Sequence, residues 1–353
     1  MEVPVEDPFG VAADGAMPSL AEALDPGEAE RQLQRRLPRL TGEDGSLRLE
    51  AIRVRRYKPA RRCMIEYEVA VEHPDAPPES ATVIGKVRVH RFGKSGFRLL
   101  DAVWNAGFRA DSDDGISVPE PLGTVSTFRM WIQRKVPGSA ATELLAGEGG
   151  ERLGVRIAEA AHKLHRAGVP AERRHTMADE LGILDDRLSR VAAARPALAE
   201  RIERLLHACH RVGEAAPRGA TCGIHRDFYA DQVIVDGSRL YLLDFDLYCE
   251  GDPALDIGNF VGHITEQSLR TLGDPAALAT VEAAIEERFL ELSGMEARSR
   301  LRAYATLTLA RHVHLSTLHA DRRAYSEAIL ELCEERLGMR AGARARAAPT
   351  ESG

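Results

Sequence analysis

His225-Arg226-Asp227-Phe228-Tyr229-Ala230-Asp231-Gln232, followed by Leu242-Leu243-Asp244-Phe245-Asp246, is the part of this sequence that decides its fold. It places a carboxylate at Asp227, an amide five residues later at Gln232, and a second carboxylate at Asp244. The first two groups are close enough in sequence to share one loop. The second carboxylate follows an apolar run. A structural element between Gln232 and Asp244 must therefore bring the chain back toward the loop.

That element is a predicted β-hairpin. Val233–Val235 and Leu240–Leu243 are short, β-prone apolar runs, and Asp236-Gly237 between them is a strong signal for a tight turn. The hairpin ends at the second carboxylate. A carboxylate that orients an attacking hydroxyl, with an amide and a second carboxylate that hold Mg²⁺ against phosphates, is the set that phosphoryl transfer from ATP needs.

Length and composition limit the class of protein. A chain of 353 residues favours two domains, and 44% hydrophobic with 29% charged residues is typical of a soluble globular protein. No run approaches the roughly 18 apolar residues of a membrane span, so we expect a cytoplasmic protein. A net charge of −7 argues against nucleic-acid binding. The five cysteines lack CxxC spacing, which favours reduced thiols over a disulfide framework or a zinc site.

The hydrophobic pattern changes along the chain and predicts an α+β layout. We expect an N-terminal arm and helix over 1–44, of which 1–24 is loose, then a β-rich part over 45–135 and a helical part over 136–337. A disordered tail follows over 338–353. Predicted strands cover 47–54, 63–71, 81–89, 123–125 and 129–135, with a break at 74–78. Predicted helices cover 25–36, 96–105, 151–167, 178–194, 197–212, 276–292, 297–318 and 323–336.

With these elements in place, the chain resembles the aminoglycoside phosphotransferase and choline-kinase-like branch of the protein-kinase-like fold, over roughly residues 45–335. The resemblance is carried by His225-Arg226-Asp227 with Gln232, by Asp244, and by Gly251-Asp252-Pro253-Ala254-Leu255-Asp256. It implies a two-lobed fold with a β-rich, nucleotide-binding N-lobe and a mostly helical C-lobe. It also implies ATP and Mg²⁺ as cofactors and a small-molecule hydroxyl acceptor.

The same resemblance assigns roles in the loop and hairpin. Asp227 would be the catalytic base or hydroxyl-orienting residue, and Gln232 and Asp244 would bind Mg²⁺. Family members tend to have Asn at the position of Gln232 and a neutral residue at that of Asp246. The amide of Gln232 is one methylene farther from the backbone, and Mg²⁺ demands near-octahedral geometry at about 2.1 Å, so the loop must shift to keep this ligand.

The N-terminal lobe would bind the nucleotide. Lys86 resembles the strand lysine that pairs with the α- and β-phosphates, and Asp101 is the sole acidic candidate to hold it from the following helix. The turn over 57–62 lacks glycine, and its backbone amides and Arg61 or Arg62 could approach phosphate, although a solvent-facing basic turn also explains it. Gln133 lies at the predicted hinge, where contacts to adenine would be made by main-chain atoms.

Three residues around the loop have predicted structural roles. His225 is expected to face inward and bond backbone near Asp244 rather than carry a proton. Asp252 and Asp256 would cap a helix and brace the catalytic loop. His312, His314 and His319 lack metal-ligand spacing and are better explained as helical core or surface histidines.

The acceptor side is less defined. Acidic residues in the C-terminal helices suit a cationic acceptor, but they are equally typical of solvated helix faces: Glu266, Glu282, Glu286 and Glu287. The alternative function is a pseudokinase that acts as a nucleotide-binding or scaffold module. A protein kinase is disfavoured because a glycine-rich loop and an Ala-Pro-Glu-like segment are missing.

Overall fold

The computed structural model describes residues 2–42, 44–73, 76–89 and 94–339, and these form two compact units. The first unit comprises the described residues of Met1–Ser139 together with Ile234–Asp246. The second comprises those of Ala140–Val233 together with Leu247–Gly353. The first is β-rich and the second helical, which confirms the α+β class. The predicted disordered tail beyond Met339 and the predicted break at Pro74 lie outside the described residues.

The strands are β1 (Val5–Glu6), β2 (Ser46–Lys58), β3 (Arg62–His73), β4 (Ala76–Arg88), β5 (Ile116–Ser117), β6 (Pro121–Val125), β7 (Met130–Arg134), β8 (Ser139–Ala140), β9 (Cys222–Ile224), β10 (Val233–Asp236), β11 (Arg239–Leu242) and β12 (Cys249–Gly251). The helices are α1 (Ser19–Leu24), α2 (Pro26–Arg36), α3 (Pro38–Thr41), α4 (Lys94–Asn105), α5 (Ala141–Leu144), α6 (Gly150–Arg166), α7 (Met177–Ala194), α8 (Ala199–Ala215), α9 (Ala254–Gln267), α10 (Ala279–Ser293), α11 (Arg298–Thr317) and α12 (Ser326–Arg336). All eight predicted helices are present, with boundaries that move by a few residues.

A six-stranded sheet in the order β1-β2-β3-β4-β7-β6 forms the centre of the first unit. Strands β2, β3 and β4 are long and antiparallel, and their alternating apolar residues face a core shared with α1, α2 and α3. Gly85 in β4 is needed there, because a Cβ atom would lie 2.2 Å from Sδ of Met130. The opposite face of β4 carries the polar residues discussed below.

The prediction of a loose arm over 1–24 is wrong for the described residues. β1 pairs in parallel with β2, and Val11 and Leu20 are completely buried in the same core as α2. The arm has no helical or strand period because its elements are short and separated by proline and glycine. Its apolar residues are nevertheless needed to cover the sheet, so burial rather than periodicity orders it.

The predicted hairpin forms, but it belongs to the first unit and not to the helical domain predicted over 136–337. β11 pairs in parallel with β5 in a four-stranded sheet of order β5-β11-β10-β8. Arg239 of β11 reinforces this pairing by donating to the hydroxyl of Ser117 at 2.8 Å. The partner strand has two residues and lies more than a hundred positions away in sequence, so no local pattern indicates it.

The second unit is built from α5–α12 with the short antiparallel pair β9 and β12. α9 and α11 approach closely at Gly258, where a Cβ atom would lie 2.6 Å from Cβ of Tyr304. One core of this unit joins α7, α8, α11 and α12. Within the part of the chain that the structure describes, no helix combines the length and apolarity needed to cross a membrane.

Candidate active site

Asp227 lies in the second unit, in the loop between β9 and a 3₁₀ turn over Ala230–Gln232. β9 fixes the start of the loop by pairing with β12, where Ile224 is opposite Cys249. Arg226, immediately before Asp227, has a left-handed backbone with φ of 69°. Non-glycine residues adopt this conformation at an energetic cost, and such residues cluster at functional sites.

The carboxylate of Asp256 in α9 fixes the backbone at the start of this loop. It is completely buried and accepts hydrogen bonds from the backbone N–H groups of His225 at 2.8 Å and Arg226 at 2.6 Å. Nε2 of His165 lies 2.9 Å from the same carboxylate. The predicted bracing role of Asp256 is therefore confirmed.

The predicted structural roles of Asp252 and His225 also have support in the second unit. The side chain of Asp252 accepts from the N–H of Ala254 at 3.0 Å and pairs with Arg300 at 2.8 Å, so it supports the start of α9. His225 is completely buried, and its ring lies 5.7 Å from that of Phe228. An inward-facing role for His225 is confirmed, while its predicted bond near Asp244 stays a prediction.

Asn259, which the sequence did not single out, continues the brace one turn along α9. Its Nδ2 donates to the carbonyl oxygen of Phe228, the residue after Asp227, at 2.9 Å. Its Oδ1 accepts from Arg311 at 2.5 Å, and Arg311 also pairs with the buried Glu180 at 3.1 Å. Asn259 is completely buried, so this amide is committed to holding the loop backbone.

The same face of α9 contacts the rest of the loop. The ring of His263 stacks on Tyr229 with a centroid distance of 4.7 Å, and Gln267 donates to the carbonyl of Thr142 at 3.1 Å. Thr142 in turn donates its hydroxyl to Asp231. His263 and Gln267 follow Asp256 and Asn259 at helical spacing, so all four side chains lie on one face of α9. One helix face therefore holds the loop from residue 225 to residue 231.

Asp227 and Gln232 are the loop side chains that this framework leaves uncommitted. The carboxylate of Asp227 is half-buried, and no described residue donates a hydrogen bond to it. Gln232 is buried, and its side-chain amide likewise has no hydrogen-bond partner among the residues that the structure describes. An amide oxygen without a protein partner is an oxygen donor of the kind that Mg²⁺ prefers, so Gln232 fits the predicted ligand type despite its extra methylene.

Lys86 and Asp244 come together in the first unit. Both line one pocket with Trp131 and Gln133, and the ammonium of Lys86 lies 4.9 Å from the Trp131 ring centroid. Burial lowers the pKa of Lys86, and the nearby carboxylate of Asp244 opposes that shift. Asp244 also has a left-handed backbone, with φ of 59°.

The strand pattern explains why Lys86 faces this pocket. Val83 and Val87 of β4 are buried in the core of the first unit, so Lys86 points to the opposite face, as the alternation predicts. Asp101, the predicted partner of Lys86, instead pairs with Arg39 at 2.7 Å. The sequence could not indicate this, because Arg39 lies in α3, which belongs to the part predicted as an arm and helix.

Arg61 lies in an exposed turn between β2 and β3, as predicted. Asp14 from the N-terminal segment fixes this turn by accepting from the hydroxyl of Tyr57 at 2.7 Å and the N–H of Ala60 at 3.1 Å. The hydrogen bond to Asp14 raises the pKa of Tyr57 to about 12. The turn therefore has a defined backbone without glycine, and its arginine side chain is accessible.

The acidic residues proposed for an acceptor site are mostly engaged within the second unit. Glu266 pairs with Arg270 at 3.0 Å, and Glu282 accepts from Thr265 at 2.6 Å. Burial raises the pKa of Glu282. Glu286 pairs with two arginines of α11, and Glu287 is exposed. These contacts indicate that the acidic residues belong to ordinary helix faces and do not line an open acidic pocket.

The histidines of α11 do not form a metal centre. Burial lowers the pKa of His312 to about 3, with a further contribution from Arg311. Among the described residues, no group of three or more His, Cys, Asp or Glu side chains could hold a metal ion.

A β-rich unit, a helical unit and a braced His-Arg-Asp loop define a protein of the kinase-like class. The family model described as "Phosphotransferase enzyme family" (APH) matches residues 95–321, more than half of the sequence. The chain belongs to this phosphotransferase family. Comparison with curated proteins found no match.

Solved structures of low sequence identity share the fold. A choline/ethanolamine kinase family protein from Mesorhizobium loti has a TM-score of 0.56 at 16% identity, covering 88% of this chain and 94% of the other. A thermostable mutant of aminoglycoside phosphotransferase APH(4)-Ia, in complex with ADP and hygromycin B, has a TM-score of 0.57 at 15% identity, covering 86% and 97%. Glucosamine kinase has a TM-score of 0.50 at 16% identity, covering 86% and 97%. The predicted kinase-like α+β fold is confirmed.

Proposed function

We propose that this chain is an ATP- and Mg²⁺-dependent kinase that phosphorylates a hydroxyl group of a small molecule, such as an amino sugar, a sugar or an amino alcohol. The observation that carries the proposal is the carboxylate of Asp227. It has no hydrogen-bond donor among the described residues, yet the backbone on both sides of it is fixed by Asp256 and Asn259. A carboxylate held in this way is suited to accept the proton of an incoming hydroxyl.

The remaining residues have complementary roles. Gln232 and Asp244 would hold Mg²⁺ through an amide and a carboxylate oxygen, and the ion would neutralise phosphate charge. Lys86 would bind the α- and β-phosphates, and Arg61 would approach them from its turn. Gln133, buried in β7 and lining the same pocket as Lys86, would lie toward the adenine.

The relatives support this substrate class. The APH(4)-Ia structure contains ADP and hygromycin B, and the other structural neighbours are named for choline, ethanolamine and glucosamine. All of these named compounds are small molecules that carry a hydroxyl group and an amino or quaternary ammonium group. Because the acidic side chains of the second unit are largely paired, a cationic acceptor is not specifically favoured by the contacts of this chain.

The experiment is a measurement of ADP formation by purified protein against a panel of amino sugars, sugars, amino alcohols and nucleosides. Asp227→Asn should reduce acceptor-dependent ADP formation by at least about a hundredfold, while Asp236→Asn, an exposed control at the end of β10, should retain it. Mass spectrometry should verify that the acceptor has gained a phosphoryl group. Equal phosphorylation by the wild type and Asp227→Asn would refute the proposal.

A nucleotide-binding module without turnover is the second candidate, because Asp101 is engaged by Arg39 and supplies no helix acid to Lys86. Thermal-shift titrations with ATP distinguish the two functions. A catalytic site should be stabilised by ATP more strongly when Mg²⁺ is present. A scaffold should show little or no metal-dependent stabilisation, with no product from any acceptor in the panel.

A further inference from the structure

Arg88 and Asp246 form an ion pair beside the predicted metal ligand in the first unit. Arg88 follows Lys86 by two positions on β4, and Asp246 follows Asp244 by two positions after the hairpin. The guanidinium of Arg88 also lies 3.9 Å from Asp244. All three side chains remain between 22% and 30% exposed, so the pair is accessible from solvent.

The carboxylates of this cluster already face cationic side chains of the protein. The two carboxylates of Asp244 and Asp246 lie with the two cations of Lys86 and Arg88. A divalent cation placed on these carboxylates is therefore opposed by two nearby positive charges. An anion that binds Lys86 and Arg88 would free the two carboxylates to bind a metal ion. The affinity for metal and the affinity for phosphate therefore both depend on the ion pair between Arg88 and Asp246.

Arg88 lies on a face of the sheet that carries several basic side chains, and positive charge suits phosphate binding. Arg88 lies opposite Arg62 in β3, and Arg62 lies opposite Lys58 in β2, so their side chains share one face. The next row on that face contains Arg56 and Lys86. Arg88 is the member of this basic face that forms an ion pair with Asp246.

We propose that Arg88 is a phosphate-binding residue that Asp246 holds while no nucleotide is bound. The inference rests on the proposed function. On nucleotide binding, Arg88 exchanges Asp246 for a phosphate oxygen, and Asp246 joins Asp244 as a second carboxylate for the metal. Asp246 thereby compensates for the longer arm of Gln232, the other position at which the chain departs from the family pattern.

The test uses two separate titrations of the full chain, ADP with EDTA present and Mn²⁺ without nucleotide. Arg88→Gln should weaken metal-free ADP binding and tighten Mn²⁺ binding, each by about five- to tenfold. Asp246→Asn should do the reverse for both ligands. The control Arg53→Gln, whose arginine on β2 pairs with Glu6 of β1 and Glu68 of β3, should change neither constant.

Opposite signs for the two ligands distinguish an exchange from a structural role, which would weaken both. In the Arg88→Gln background, Asp246→Asn should no longer strengthen ADP binding, because no arginine is left to release. Changes of the same sign in Arg88→Gln, or no change, overturn this inference and leave the proposed function standing if the wild type binds both ligands. A wild-type protein that binds neither ADP nor Mn²⁺ overturns both.

Discussion

Replacing Asn259 with alanine should displace the catalytic loop without touching Asp227 itself. The amide of Asn259 donates to the carbonyl of Phe228 at 2.9 Å and accepts from Arg311 at 2.5 Å. Both partners lose a bond in the variant. Because Phe228 is only 1% exposed, water cannot easily replace the lost donor.

The magnitude follows from these two bonds. An unsatisfied buried carbonyl costs about 1 to 3 kcal/mol, and a hydrogen bond to a charged group contributes about 1.5 to 3 kcal/mol. Arg311 keeps its ion pair with Glu180, which limits the second loss. We therefore expect Asn259→Ala to lower the free energy of unfolding by about 3 to 4 kcal/mol. A loop displaced by about 1 Å should reduce the transfer rate by about a hundredfold.

The assay is urea unfolding followed by far-UV circular dichroism, combined with rates of transfer and ADP affinity. Both tryptophans lie in the first unit, so fluorescence would not report on α9. Asn259→Asp separates the two bonds, because the carboxylate still accepts from Arg311 but has no donor for Phe228. It should recover part of the stability while losing transfer as severely as alanine.

Asn105→Ala, at an exposed position of α4, is the matched control and should stay within about 0.5 kcal/mol of wild type. ADP affinity should remain close to wild type in all three variants, because Asn259 contacts the loop backbone. The reasoning is refuted if Asn259→Ala retains full stability and transfer, or if Asn259→Asp transfers normally.

Two further predictions concern stability. Burial lowers the pKa of His312 from 6.5 to about 3. Between these two values the histidine binds a proton in the unfolded state but not in the folded state, so acidification destabilises the fold. Between about pH 7 and about pH 5, the free energy of unfolding of the wild type should fall by about 2 kcal/mol more than that of His312→Gln, as measured by urea unfolding. Equal losses would contradict this pKa shift. Gly258→Ala should destabilise by about 1 to 3 kcal/mol because its Cβ would lie 2.7 Å from the carbonyl oxygen of Leu301. Gly182→Ala, with no atom within 4 Å, should instead stabilise by up to about 1 kcal/mol, and similar thermal shifts for the two glycine variants would contradict the close approach of α9 and α11.

Sequence periodicity predicted the elements that fold locally. The alternation of β4 placed Lys86 opposite the core, and Asp25 caps α2 by accepting from the N–H of Glu28 at 2.8 Å, as the Asp-Pro signal indicated. The bracing role of Asp256 followed from the family resemblance. These features depend on near neighbours or on a motif that the sequence contains in full.

Features that depend on distant partners could not be predicted. Asn259 has no distinctive local pattern, and its role appears only when α9 lies beside the carbonyl of Phe228. Asp101 is predicted to hold Lys86, but it pairs with Arg39, which lies 62 positions earlier in the sequence. Likewise, β1 and β5 have two residues each, and each forms because a strand distant in sequence supplies its partner.

The central claim is that Asp227 acts on the acceptor hydroxyl and not on the nucleotide. The most direct test is a single-turnover measurement of phosphoryl transfer from enzyme-bound ATP to a verified acceptor, with ADP affinity measured on the same samples. Asp227→Asn should slow transfer by at least about a hundredfold and leave ADP affinity essentially unchanged. Transfer by Asp227→Asn at the wild-type rate, or a slow rate explained entirely by lost nucleotide binding, would contradict the account.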